Sequence, residues 1–363
     1  MVSLAVDIHG LKLRNPIMPA AGPTVRDADS ILKAAKGGAG GLVTKTISVE
    51  AAEVPRPNIA KVDKSLLNAE TWSEDPPKKW LKDWFPEVKK KSDLPLIASI
   101  GYKAEEISEL APKFVAAGAD ALELGTHYLE HDPAPMVEAT KAAKEKVDVP
   151  VFVKLSPHVV DLSKFAEAVE KAGADGVVAI NTVGPCLSID IETTMPVMGA
   201  PNGYGWLSGP AIKPLAIRCV ADIARRVNIP VIGVGGVSTG RDAVEFIMAG
   251  ASAVELCTAA IIRGPEIYGR IADEMSRFMR VKRYDSIEDF RGIALKHLPE
   301  EPLRTKVKVP ELIESKCTGC DLCEKYCVYD AITMVGGLAR IDKSKCEGCG
   351  LCVSVCPTRA FRF

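Results

Sequence analysis

The chain has 363 residues, with 46 Lys and Arg against 47 Asp and Glu and a formal net charge of −1. Its length suits one barrel-sized domain plus a small module, and a hydrophobic content of 47% with a mean hydropathy of +0.09 indicates a globular core. Near-neutral charge argues against nucleic acid or an anionic membrane as a main partner, and no apolar run approaches the roughly 20 residues that span a bilayer. Residues 1–19 lack the basic region and small-residue cleavage site of a signal peptide, so a cytoplasmic protein with no membrane role is expected.

Eight short β-rich runs precede residue 260, at 17–20, 41–46, 95–100, 120–124, 151–155, 175–181, 231–234 and 253–257. Most are continuously apolar rather than alternating, the pattern of strands buried on both faces of a parallel sheet. Helical periodicity fills most of the gaps, at 104–117, 135–146, 162–172, 210–226 and 243–249. Ala117-Gly118-Ala119-Asp120, Ala172-Gly173-Ala174-Asp175 and Ala249-Gly250-Ala251-Ser252 form a weak repeat in which glycine ends a helix and a strand follows. These alternations read as an α/β fold, a (β/α)8 TIM barrel, with a doubly wound open sheet as the alternative because strand count alone does not prove closure. Residues 47–94, with Trp72, Trp80 and Trp84, are expected to cover the barrel mouth as an irregular excursion, and residues 185–204 to form a lid. Residues 281–315, charged and carrying Pro299, Pro302 and Pro310, read as a linker between a barrel at 1–280 and a module at 316–363.

Function in a barrel sits at the C-terminal ends of its strands. The seventh run leads into Gly235-Gly236-Val237-Ser238-Thr239-Gly240 and the eighth ends in Cys257-Thr258-Ala259. Both point to helix N-termini, where free N–H groups and the helix dipole favour a phosphate. Ser208-Gly209-Pro210-Ala211 opens another helix and adds further amides. Such glycines also serve as plain turns, but two sites at the positions where barrels commonly hold phosphate favour a cradle. Two lysines end strands, Lys45 in Val43-Thr44-Lys45-Thr46 and Lys154 in Val153-Lys154-Leu155-Ser156-Pro157. A lysine so placed is costly unless it meets an anion. That anion is either a reduced flavin, negative along its pyrimidine edge, or a buried carboxylate such as Glu123 or Glu255. Asn181-Thr182 adds amide and hydroxyl groups at the same level, and Asn68 does so from the long excursion.

In the last fifty residues, eight cysteines fall into two runs of Cys-x2-Cys-x2-Cys-x3-Cys: Cys317, Cys320, Cys323 and Cys327, then Cys346, Cys349, Cys352 and Cys356. Closely spaced thiolates wrap one cubane, and the fourth cysteine of each run reaches the other cluster. The expected sets are therefore Cys317, Cys320, Cys323 and Cys356 for one 4Fe–4S cluster, and Cys346, Cys349, Cys352 and Cys327 for the second. Zinc usually takes ligand pairs separated by longer gaps, and disulfides fit poorly with a reducing compartment. Small residues between the ligands are expected to let backbone N–H groups approach the sulfurs. The stretch resembles the bacterial two-cluster ferredoxins, departing at Val328, where Pro357 holds the equivalent place after Cys356.

The barrel motifs, together with Asn15-Pro16-Ile17-Met18-Pro19-Ala20, Ile180-Asn181-Thr182 and Leu207-Ser208-Gly209-Pro210-Ala211-Ile212-Lys213-Pro214, resemble the FMN barrel of dihydroorotate dehydrogenases. With the ferredoxin module and Asn68-Ala69-Glu70, the chain is also similar to the catalytic subunit of bacterial dihydropyrimidine dehydrogenase. The resemblance implies FMN, its phosphate near Gly209, Gly235, Gly236, Cys257 and Thr258 and its ring system near Ala20, Ala21, Lys45, Ser99, Lys154 and Asn181. Thr46, Asn68, Thr182 and Ser208 complete the expected cofactor-binding set.

One departure touches the substrate. Where the family carries Asn-x-Ser-Cys-Pro after strand four, this chain has Gly125-Thr126-His127-Tyr128-Leu129. Gly125 replaces the substrate-holding asparagine and Tyr128 the proton-transferring cysteine, so Tyr128 or His127 is the candidate acid, alongside Lys45 and Lys154 as catalytic lysines. His158 and Cys186 stand at the mouth with ordinary surface or structural readings, and Cys219 reads as core.

The expectation is an FMN and iron–sulfur oxidoreductase acting on a C–C bond of a small cyclic or conjugated substrate, a third reading being a pyrimidine enzyme that uses Tyr128. The rival from another class is an electron-transfer subunit with no substrate chemistry of its own. No Gly-x-Gly-x-x-Gly follows a predicted strand, so nicotinamide would act through a separate flavoprotein subunit or a soluble ferredoxin, and the resemblance implies a homodimer or a hetero-oligomer.

Overall fold

A computed structural model describes residues 2–126, 132–159 and 161–363, which form two compact units, Met1–His297 and Leu298–Phe363. In the first, eight strands alternate with eight main helices. The strands are β1 (Ile17–Pro19), β2 (Leu42–Val43), β3 (Leu96–Ile100), β4 (Ala121–Leu124), β5 (Val151–Leu155), β6 (Gly176–Ala179), β7 (Val231–Val234) and β8 (Ala253–Leu256). The helices are α1 (Ala28–Lys36), α2 (Phe85–Lys91), α3 (Ala104–Ala116), α4 (Ala134–Lys144), α5 (Leu162–Lys171), α6 (Lys213–Ala224), α7 (Gly240–Met248) and α8 (Ile267–Lys282).

All ladders among these strands are parallel, in the order β1-β8-β7-β6-β5-β4-β3-β2. At the remaining seam the Gly40 N–H donates to the Ile17 carbonyl at 2.7 Å, bringing the two ends together as a barrel rather than an open sheet. Every residue of β3 and β5 is buried, which explains their continuous apolar character. The helices cover them with one apolar face each. In α5, Leu162, Phe165, Ala166 and Val169 recur at helical spacing and are buried, and the Asp161 side chain accepts the Lys164 N–H to start the helix. Gly118, Gly173 and Gly250 have φ near +100°, as the repeat of helix-ending glycines requires.

Two expectations change. The excursions are not irregular: Val183–Cys186, Gly205–Ser208, Ser65–Asn68 and Ile59–Val62 pair in that order as a four-stranded antiparallel sheet. Leu67 lies opposite Leu207, and Leu67, Ala69 and Met198 form its small apolar core. Their strand character was hidden because each strand is only four residues long. Of the three tryptophans, Trp72 lines the mouth, while Trp80 is fully buried in the barrel wall, edge-on to Trp84 at 4.8 Å, and donates to Ser73 Oγ at 2.8 Å. Residues 281–297, read as the start of a linker, belong to the barrel unit, where Ile287 and Phe290 are buried and Tyr284 stacks on Phe290 at 5.1 Å.

The second unit is small. Glu311–Leu312 pairs with Phe361–Arg362, and Ile332–Val335 pairs with Leu338–Ile341 across the turn at Gly336 and Gly337. Two short helices, Leu322–Lys325 and Leu351–Val355, follow the cysteine-bearing loops. Its apolar core holds little more than Cys323, Ile332, Ala339 and Phe361, too few to stabilise a domain of this size alone. Among the described residues, no helix is long and apolar enough to cross a membrane.

Candidate functional site

A cavity of about 610 Å³ opens at the C-terminal ends of the barrel strands, within the range of ligand pockets. Every strand supplies a residue at or just past its end: Ala20, Lys45, Tyr102, Gly125, Lys154, Asn181, Gly235 and Cys257. The antiparallel sheet contributes Asn68, Trp206 and Ser208, and the segment after it Glu70 and Trp72. Of the expected cofactor-binding residues, all line this cavity except Ser99. That serine is fully buried behind the wall, where its hydroxyl donates to Glu123 Oε1 at 3.1 Å and meets Thr46 Oγ1 at 3.0 Å.

Both strand-end lysines are buried and paired with carboxylates. Lys45 pairs with Glu70, whose other oxygen accepts from Asn58 Nδ2. Lys154 Nζ lies 3.4 Å from Glu123 Oε1 and 3.3 Å from Glu255 Oε2. Burial alone would lower the Lys154 pKa, but attraction to the two carboxylates more than offsets it and holds the ammonium above its usual value. Burial, then repulsion from Glu123, pushes the Glu255 carboxyl well above the usual carboxylate range. Burial also drives the Cys257 thiol up to about 11, so it remains a neutral thiol.

At the opposite end of the cavity, Gly209, Gly235 and Gly236 come together. A Cβ on Gly236 would lie 2.8 Å from the Gly209 carbonyl oxygen, so only bare backbone fits this close approach. Thr258 Oγ1 and Ser208 Oγ meet at 2.9 Å beside them. The N-terminus of α7 is not open to an anion as expected. The Asp242 carboxylate accepts the N–H groups of Ser238 and Thr239, Thr239 Oγ1 accepts that of Asp242, and Glu274 accepts that of Gly240. An anion at this end is therefore left the glycine backbone, the Cys257–Thr258 turn and the two hydroxyls.

Gly125 stands close against Thr46. A Cβ there would lie 2.7 Å from Thr46 Cγ2, so any larger residue requires the Thr46 side chain to shift. Tyr128 and His127 lie outside the described residues. His158 sits behind the lid rather than in the cavity: its Nε2 accepts the Gly184 N–H at 3.1 Å and its ring stands edge-on to Trp206 at 5.1 Å. Burial lowers its pKa. Cys186 is half-buried on a lid strand and Cys219 is buried in α6, as expected. Sequence reasoning did not place Glu70 opposite Lys45, nor Tyr102 and Trp206 in the cavity wall; Tyr102 lies in a loop and Trp206 on a four-residue strand, and neither gives a periodic signal.

In the second unit, one hollow is lined by Cys317, Cys320, Cys323 and Cys356, and another by Cys346, Cys349, Cys352 and Cys327. Each thus gathers three cysteines of one run and the fourth of the other. Burial, then the neighbouring Cys349 and Cys346, pushes Cys352 up to about 11; such mutual repulsion favours a cationic centre among the sulfurs. Two amides approach sulfur at equivalent places, Ala331 N–H to Cys327 Sγ at 3.3 Å and Ala360 N–H to Cys356 Sγ at 3.2 Å. They come from four residues beyond each fourth cysteine, and between the ligands the Glu324 and Val353 backbones also hydrogen-bond the Cys323 and Cys352 sulfurs.

Comparison with known proteins agrees with this architecture. The dihydroorotate dehydrogenase family matches residues 3–279, and the 4Fe-4S binding domain family matches residues 339–362. The catalytic subunit of dihydroorotate dehydrogenase B (NAD(+)) from Pyrococcus abyssi is 38% identical over 304 residues, covering 81% of this chain and 99% of that protein. Proteins of the same name from Methanosarcina mazei and Methanothermobacter thermautotrophicus are 40% and 37% identical, each over 303 residues, covering 80% of this chain and 95% and 98% of theirs. These relatives carry the dihydroorotate name, not that of a dihydropyrimidine dehydrogenase. With a barrel matched along most of its length and a ferredoxin-type region at its end, the chain belongs to the dihydroorotate dehydrogenase family of oxidoreductases.

Proposed function

We propose that this protein is an FMN- and iron–sulfur-dependent oxidoreductase that acts on the C–C bond of a small, flat, uncharged substrate. Two 4Fe–4S clusters relay its electrons to or from an external carrier. The observation that carries the reading is one chain holding both a barrel-mouth cavity with buried lysines and two hollows of four cysteines each. The cavity fits FMN in size, in the backbone cradle at Gly209 and Gly236 for its phosphate, and in Lys154 and Asn181 for its ring edge. FMN, when bound, supplies hydride exchange with the substrate and one-electron exchange with the clusters.

The chain's own groups bear on which substrate is accepted. Among the described residues, the charged ones lining the cavity are Lys45, Glu70, Lys154 and Glu255, and each lysine already has its carboxylate. A substrate carboxylate, as in dihydroorotate, finds no spare cation among these described residues, and an unpaired buried charge costs several kcal/mol. Gly125 offers no amide side chain, while Trp72, Tyr102 and Trp206 present apolar faces. The substrate therefore stacks rather than forms a salt bridge. Its proton is moved by a side chain of the segment after strand four, Tyr128 being the candidate by its place in the sequence.

The relatives are named as catalytic subunits acting with NAD(+). By analogy, the electron partner here is a flavoprotein that handles nicotinamide, or a ferredoxin, in the reducing cytoplasm. Anaerobically purified protein mixed with a panel of uncharged and carboxylated cyclic substrates tests the reading. Flavin and cluster absorbance should both be present, and dihydroorotate should reduce the flavin at least about tenfold less well than the best uncharged substrate, a difference of about 1.4 kcal/mol. Protein with no flavin, or one that turns over dihydroorotate best, overturns it.

A further inference from the structure

The barrel floor carries two carboxylates against one lysine. Glu123 and Glu255 are each 1% exposed and Lys154 is 6% exposed, so all three charges would be buried if ionised. Lys154 reaches one oxygen of each carboxylate, and Ser99 donates to the Glu123 oxygen that already faces the lysine. The other two oxygens, Glu123 Oε2 and Glu255 Oε1, are buried and have no hydrogen-bond donor among the described residues. A fully ionised set would leave one uncompensated negative charge and two orphaned acceptors in a low-dielectric interior, each unfavourable.

The surroundings supply no remedy. Lys45 is engaged with Glu70. Cys257 and Tyr268, which also sense this cluster, are neutral, since burial pushes the thiol up to about 11 and the phenol higher still. Neither brings a positive charge. A proton on one carboxylate, donated to the other, removes the excess charge and satisfies the pair at once.

We infer that Glu255 and Glu123 hold a single proton between them at neutral pH, forming a neutral-balanced cluster with Lys154 at the floor of the cavity. Glu255 carries the proton and Glu123 accepts it. Lys154 and Glu255 reach the cavity and Glu123 stands behind them, so the pair acts as positioning residues. They keep Lys154 a cation aimed at the cofactor site without surrounding that site with net negative charge, which would oppose reduction of a bound flavin. The proton itself does not depend on the function proposed above; only its effect on the flavin does.

Infrared spectra of anaerobically purified holoprotein at neutral pH, in light and heavy water, test the inference. Wild type should show a protonated-carboxyl C=O band that shifts on deuteration. Glu255→Gln and Glu123→Gln should each lose it, because either change removes the excess carboxylate and the remaining one pairs with Lys154 as a simple ion pair. Loss in both variants separates a shared proton from an ordinary buried acid, and either variant suffices for the first comparison if the other fails to fold. A wild type without the band, or persistence of the band in either variant, overturns the inference, whatever substrate the enzyme proves to use.

Discussion

Single residues at the mouth decide most of what the site can accept. Lys45 and Lys154 were legible in the sequence because a lysine ending a buried strand demands an anion, and Glu123 and Glu255 were legible as partners. Glu70 was not: it lies 25 residues from Lys45 within an excursion that has no periodicity. Replacing Lys45 with Met leaves Glu70 buried without its cation. Unfolding in denaturant should show a loss of about 3–5 kcal/mol, and Lys45→Met/Glu70→Gln should recover much of it. Gly125→Asn, which restores the family residue, should not restore a family substrate. Its Cβ meets Thr46 Cγ2 at 2.7 Å, so a destabilisation of about 1–3 kcal/mol is expected, relieved when Thr46 is also shortened to Ser. Glu255 makes a pH-dependent contribution. Its folded pKa is raised, so its stabilisation is full below the unfolded value of 4.5 and is lost as pH rises through the folded value. Melting curves between about pH 5 and 9 should fall more steeply for wild type than for Glu255→Gln.

Among the elements, the eight barrel strands could be read from their apolar runs and α3 to α7 from helical periodicity, with a glycine stop after α3, α5 and α7, whereas α1, α2 and α8 were not read. The antiparallel sheet was not read either. Its four strands come from two distant excursions, and none buries enough alternating surface to show a period of two. What joins them is pairing: Asn68 Nδ2 donates to the Trp206 carbonyl at 2.9 Å, and the Ala211 N–H donates to Ser65 Oγ at 3.0 Å. Asn68→Ala should weaken this junction by about 1 kcal/mol and speed amide exchange in Gly205–Ser208 while the barrel strands stay protected. His158 gives the outer strand an acid sensitivity. Its pKa is lowered in the fold, so its contribution is complete above the unfolded value of 6.5 and is lost as pH falls below it. Protection factors in Val183–Cys186, corrected for the fall of intrinsic exchange with pH, should drop on acidification in wild type and much less in His158→Gln.

At the scale of the molecule, two units were foreseeable from a barrel-length pattern followed by a dense cysteine tail. The division after His297 was not, because the segment from 283 has loop composition yet packs Ile287 and Phe290 into the barrel unit. The crossed cysteine sets follow from spacing, and the hollows they line agree with it. If each hollow holds one of the proposed clusters, Cys327→Ser should cost about half the bound iron and perturb the set built on Cys346, not its own run. The sheet over the mouth has a consequence for how the chain is made. Ser208 Oγ donates to the Leu66 carbonyl across 142 residues of sequence. A ribosome emits chain at about 5–20 residues per second, so the Ser65–Asn68 edge waits on the order of ten seconds for its partner strand to emerge. Throughout that interval the nascent polypeptide presents an unpaired β-edge, the kind of surface that invites chaperone capture or misassociation between neighbouring polysomes.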